Sequence, residues 1–245
     1  MNSIMQTQLN HSSVRSYQDK AIASDLLLDI LRCGQAAASS SFIQAYSVIQ
    51  VNDPDKRKTI AQAAGNQRWV VAAPEFLVIC ADLSRVEYCC QKHQQGDLEG
   101  YTEHFMAATV DAALMAQNMM LAVESVGLGG VFIGGIRNDP QTVANTLELP
   151  GQVYPVCGLC LGWPKQTMSV KPRLPVQAVL HQDRFDTAKT QVMVDDYDEV
   201  MTAYYAERSF NNKSTNWSEQ TARAIQGKKR EHMLEFLQQR GFVKC

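Results

Sequence analysis

A chain of 245 residues with 45% hydrophobic and 20% charged side chains can bury one large core or two small ones, and it is too apolar to be disordered. Its formal net charge of −2 offers no bulk attraction to nucleic acid or to an anionic membrane surface. Its seven cysteines, an odd number lying mostly in apolar runs, read as reduced thiols and not as a disulfide framework.

The leader MNSIMQTQLN has neither a basic segment nor a sustained apolar run, so no secretory signal is expected and the cytoplasm is the expected compartment. The stretch HSSVRSY, His11 to Tyr17, is either a polar surface turn or half of a pocket for an anion. Leu27, Leu28 and Leu31 give helical spacing from Ser24 to Ala37, with Ser24 as N-cap, and Ser39, Ser40 and Ser41 break that helix. Ala45 to Val51 reads as a strand, and Asn52, Asp53 and Pro54 open a helix that ends at Gly65. Glu75 to Ala81 is almost continuously apolar, a strand buried on both faces. Residues 82–100 read as a polar, irregular, exposed excursion.

Phe105 to Val126 is the most apolar helix candidate, but Asp111, Gln117, Asn118 and Glu124 interrupt it, so it is expected to be a core helix and not a membrane span. Gly127 suits a left-handed cap at its end. A strand between glycines (Gly129 to Gly135), a helix from Asp139 to Leu147 and a strand from Val153 to Trp163 follow. Beyond Pro164, Val176 to Gln182 reads as one further strand, and the chain from Asp195 onward as polar helix with aromatic residues. That tail has too few apolar positions for its own core and is expected to pack on something else, such as a second subunit. Without regular β-α-β alternation, the fold class is α+β.

Cys157 and Cys160 in CGLC resemble a redox or zinc half-site, but residues three apart on a strand point to opposite faces, and no second ligand pair completes a metal set. The glycines of GLGGVFIGG follow a helix and bracket a strand, the reverse of a dinucleotide fingerprint. A cap and a tight turn account for Gly127 and Gly129. Gly134 and Gly135 are less well explained, since consecutive glycines after a strand let the backbone approach something flat. No hydrolytic or metal constellation is present. Lys171 and Arg173, two apart in a proline-stiffened segment, would turn to one side. They form either a solvated loop or, with His11 and Ser13, a site for a phosphate dianion.

Taken in order, HSSVR, ASSSF, GNQ, ALMAQN, GLGGVFIGGIRN, GLCLGWP, KPRLP and YYAERSFNN resemble the oxygen-insensitive NADPH nitroreductase and NADPH–flavin oxidoreductase family, from about residue 9 to the C-terminus. The resemblance implies an α+β FMN fold with a central mixed sheet flanked by helices, one domain over 1–245, whose residues from about 175 to 245 extend onto the partner of a homodimer. It implies FMN held non-covalently, NADPH as donor, and two-electron ping-pong hydride transfer at the flavin N5 to nitroaromatics, quinones or flavins. A flavin reductase with incidental nitro activity and a non-catalytic FMN module are the alternatives.

Residue by residue, the resemblance places His11, Ser13, Lys171 and Arg173 on the FMN phosphate, Arg15 beside the N1/O2 edge, and Gln67 on the ring edge. It places Ser39 near the flavin, Phe132, Ile133, Gly134 and Gly135 against the ring, and Arg208 with Lys213 on NADPH. No side chain is assigned as catalytic. The sequence departs from the family pattern at Ser12, where an arginine usually contributes to the flavin site, and at Lys213, where arginine is usual. Arg68 and Trp69 also stand where a histidine follows Gln67.

Overall fold

The computed structural model describes residues 1–166, 168–207, 215–227 and 229–245. The chain divides into two compact units, Met1–Ser169 with Arg230–Cys245, and Val170–Lys229.

The first unit is built on a four-stranded sheet of β1 (Tyr46–Gln50), β2 (Glu75–Asp82), β3 (Gly129–Ile133) and β4 (Val153–Gly162), in the order β1-β2-β4-β3. All its pairings are antiparallel, so within the described residues the sheet is not the mixed one expected. β2 pairs on both sides, and Phe76 to Asp82 is buried throughout, which is why it reads as an unbroken apolar run.

The helices of this unit are α1 (Ser3–Leu9), α2 (Ser24–Gln35), α3 (Pro54–Ala63), α4 (Arg68–Ala72), α5 (Ser84–Lys92), α6 (Thr102–Ser125), α7 (Pro140–Thr146) and α10 (Met233–Gln239). α6 packs against all four strands, and α2 packs against α6. Its buried residues Ala108, Ala112, Met115, Met119 and Val123 recur at helical spacing. On length and composition alone α6 passes as a membrane span, contrary to the sequence reading; its packing against the sheet makes it a core helix. It ends at Ser125 with Val126 as its C-cap, and Gly127 follows at φ +80° as the sequence suggested. Asp53 caps α3 by accepting the Asp55 and Lys56 N–H groups, and Asp139 caps α7 through the Thr142 N–H.

Four expectations change. α2 starts at Ser24, so its N-cap is Ala23. Residues 82–100 are not irregular throughout, because α5 occupies Ser84–Lys92, its start held by the Asp82 carboxylate, which accepts the Ser84 N–H at 2.8 Å and the Ser84 hydroxyl at 2.6 Å. Val176 to Gln182 is not a strand but a short 3-10 turn, Val176–Ala178, with Val179 and Leu180 exposed and no neighbouring strand among the described residues. The end of the chain lies in the first unit's own core, where Phe242 meets the Tyr154 ring edge-on at 5.1 Å.

The second unit contains α8 (Thr187–Glu207) and α9 (Trp217–Gly227). Its apolar interior is small: Tyr197, Met201 and Tyr205, spaced one helical turn apart, with Leu174, Tyr204 and Trp217 against them.

Candidate flavin site

The opening motif is an extended segment stitched to the sheet. Val14 N–H donates to the Gly130 carbonyl at 2.9 Å, Gln18 N–H to Trp163 at 2.8 Å, and Lys165 N–H to Ser16 at 3.0 Å. Buried Val14 and Tyr17 anchor it, and the Tyr17 hydroxyl donates to the Val14 carbonyl at 2.7 Å. Burial pushes the Tyr17 phenol far above its ordinary range, so it remains a neutral donor. With Val14 and Tyr17 turned inward, Arg15 and Ser16 are left exposed.

The Arg15 guanidinium lies 5.8 Å from the centroid of the Trp69 ring. Trp69 Nε1–H donates to Gln67 Oε1 at 2.8 Å, and Gln67 Nε2–H donates to the Ala64 carbonyl at 2.9 Å. Gln67 keeps one further N–H and one further lone pair for a ligand. A Cβ on Gly135 would lie 2.2 Å from Gln67 Nε2 and 2.5 Å from the Ala64 oxygen. Trp69 thus links Arg15 to Gln67, and Gln67 in turn packs against Gly135.

The two glycines answer to different demands. Packing against Ala64 and Gln67 requires glycine at 135. At Gly134 a Cβ would meet only the end of Arg137, at 3.4 Å or more, and the backbone there is not in the left-handed region. Neither packing nor conformation requires glycine at 134. The Gly134 carbonyl is held at 3.1 Å by Arg230, which also donates to Asn138. Burial, and then the nearby Arg137, lower the Arg230 pKa.

On β3, Phe132 is half-buried while Ile133 is fully buried, so Ile133 can offer a ligand only its backbone. Ser12 lines a hollow of about 440 Å³ with Glu124, Leu128, Gly129 and Pro164. Ser13 is half-buried. A larger hollow of about 790 Å³, lined by Leu31, Phe42, Tyr46, Val48 and Met115 among others, contains none of the expected flavin residues.

Ser39 begins a strained loop in which Ser41, Phe42 and Gln44 have φ of 46°, 60° and 51°. Asp111, buried on α6, closes that loop by accepting the Ser40 N–H at 2.8 Å and the Ala45 N–H at 3.1 Å. The Ser39 hydroxyl is covered and has no partner among the described residues. In the second unit, exposed Lys171 lies 5.4 Å from the Tyr205 ring, and Arg173 opposes the rise that burial gives the Tyr197 pKa. Lys171 and Arg173 thus each act on a tyrosine of α8. Arg208 and Lys213 lie outside the described residues.

Sequence reasoning missed Asp111, Glu124 and Arg230. Two carried a signal: Asp111 breaks an apolar helix face, and Glu124 puts a carboxylate at the negative end of a helix dipole. Cys157 and Cys160 have pKa values raised by burial to about 11 and about 12, which leaves both as thiols at neutral pH.

Residues 9–163 match the model of the nitroreductase family, and residues 171–244 match that of the nitroreductase family C-terminal domain. The chain belongs to the nitroreductase family. An NADPH-flavin oxidoreductase of Vibrio harveyi is 40% identical over 247 residues, with all of both chains covered. A Bacillus subtilis (strain 168) protein named FMN reductase (NADPH) is 38% identical over 248 residues, again covering all of both. Among solved structures, the NfrA1 nitroreductase of B. subtilis superposes with a TM-score of 0.94 at 37% identity, over 99% of this chain and 100% of that one. The nitroreductase fold is therefore shared along the whole chain.

Proposed function

We propose that this nitroreductase-family chain is an NADPH-dependent FMN oxidoreductase. The observation that carries the reading, beside family membership, is Gly134, a glycine that neither packing nor conformation requires, adjoining a residue in contact with Gln67. Bound FMN would supply two-electron hydride transfer from NADPH to an acceptor. The chain's own residues bind and orient. His11 and Ser13 would meet the phosphate, with Ser12 between them in sequence, and the resemblance assigns Lys171 and Arg173 the same role. Arg15 supplies a fixed positive charge, kept in place by Trp69, and Gln67 offers its remaining N–H. Phe132, with the backbone of Ile133, Gly134 and Gly135, forms the surface on which a flat ring rests; the loop after Ser39 is a further wall; Arg208 and Lys213 receive the nucleotide.

We further propose that the protein is a cytoplasmic homodimer. Met106, Val110 and Leu114 form an exposed apolar stripe on α6, and Phe42 and Leu28 are also exposed, all of which a second subunit would cover. Free flavin is the favoured acceptor, since two similar proteins are named for flavin reduction; quinones and nitroaromatics fit the same flat surface. The test is the visible spectrum of dialysed protein under anaerobic conditions, with NADPH and NADH added separately. Flavin bands that bleach faster with NADPH support the reading. A bound flavin that neither nucleotide bleaches would make the chain a flavin-binding module.

A further inference from the structure

His11 Nδ1 lies 2.6 Å from Glu124 Oε1, a contact between residues 113 apart in sequence, with side chains only 26% and 13% exposed. Glu124 belongs to the last turn of α6, where the helix carbonyls disfavour a carboxylate, and half-burial adds a desolvation cost. Such a position calls for a specific partner, and His11 is the one that the hydrogen bonds and ion pairs of the described residues give Glu124.

We propose that Glu124 is a positioning residue for the flavin phosphate, acting through His11. This rests on the reading that His11 meets that phosphate. A carboxylate only accepts, so the Nδ1 it faces carries the hydrogen, and Nε2 is the nitrogen left for a ligand. A ring donating Nδ1–H to Glu124 and Nε2–H to a phosphate is an imidazolium set between two anions, with its plane fixed by Glu124. Ser12, beside His11 in sequence, is neutral and adds no charge to this contact.

The test is titration of the full-length, flavin-free chain with FMN and with riboflavin, which lacks the phosphate, read by flavin fluorescence. Glu124→Gln is expected to weaken FMN about tenfold, the difference between a charge-assisted and a neutral hydrogen bond, and to leave riboflavin within about twofold. In a His11→Ala background Glu124→Gln is expected to add nothing for FMN. Equal losses for both flavins, or a full additional loss in the His11→Ala background, would overturn the proposal. If His11→Ala alone weakens FMN and riboflavin equally, the reading of His11 as a phosphate ligand fails, and the proposal falls with it. Should Glu124→Gln not fold, Glu124→Asp, which keeps the charge but shortens its reach, must show the same selectivity for FMN.

Discussion

Gly135 sits in the elbow between α3 and α4, against the Ala64 carbonyl and the Gln67 amide, while its neighbour Gly134 faces open space beyond the tip of Arg137. A methyl at 135 must displace backbone as well as a side chain. Gly135→Ala is therefore expected to cost about 1–3 kcal/mol, the usual range for overpacking, read as a lowered urea midpoint with an unchanged slope. Gly134→Ala is expected to change stability by no more than about 0.5 kcal/mol, as at a position free of packing demands. Its effect would appear in the flavin: weaker FMN binding, or slower bleaching by NADPH in a protein that melts normally. If Gly134→Ala lowered the urea midpoint as far as Gly135→Ala, with flavin binding and bleaching untouched, Gly134 would be a structural glycine and the argument for an approaching ring would lose its basis.

At the scale of elements, the junction of β2 and α5 carries a built-in acid sensitivity. Burial by itself would raise the Asp82 pKa, but hydrogen bonds from Ser47 and Ser84 and the charge of Arg85 outweigh it and hold the carboxyl below its ordinary 3.8. A carboxyl with a depressed folded value stabilises the fold above its unfolded pKa, and that contribution disappears as pH falls through the folded one. Stability should thus decline from about pH 4 downward. Asp82→Asn should flatten that decline by at most about 1.4 kcal/mol per pH unit, the slope for one proton, in urea titrations from pH 6 to pH 2.5. Identical slopes for the two proteins would show that Asp82 is not linked to folding.

The same junction shows what sequence can and cannot disclose. β2 was legible because both its faces are buried and its whole run is apolar. α5 was not, because only Val86 and Cys90 give it an inward apolar side, and its start is set by Asp82 from the preceding strand. The apolar run after Val176 misled for the opposite reason: strand-forming residues make a strand only where a neighbour offers its edge. Arg15, Gln67 and the double glycine were named from motifs, and the structure puts Arg15 near Trp69 and Gln67 against Gly135. The closing of the Ser40–Ala45 loop by Asp111 was not legible, because the partners come together only when α6 packs on β1.

For the whole molecule, the division into two units runs against chain order, since Arg230–Cys245 returns to the unit that the first part of the chain builds. Phe236, Leu237 and Phe242 are 4%, 7% and 1% exposed. Arg240 donates to the Val153 carbonyl at 3.1 Å and to Leu149 at 2.5 Å, and its own carbonyl receives the Gln152 N–H at 2.8 Å. Each large apolar side chain so buried contributes on the order of 1.5–3 kcal/mol. Losing three of them, and orphaning the carbonyls that Arg240 satisfies, approaches the roughly 5–15 kcal/mol that holds a domain together. A chain ending at Lys229 is therefore expected to lose its cooperative thermal transition in far-ultraviolet circular dichroism, and with it any bound flavin. A segment that served only a partner subunit would behave otherwise: its removal would change the oligomeric state by light scattering and leave the melting of the first unit in place. That second outcome would return the last residues to the extension and take them out of the core.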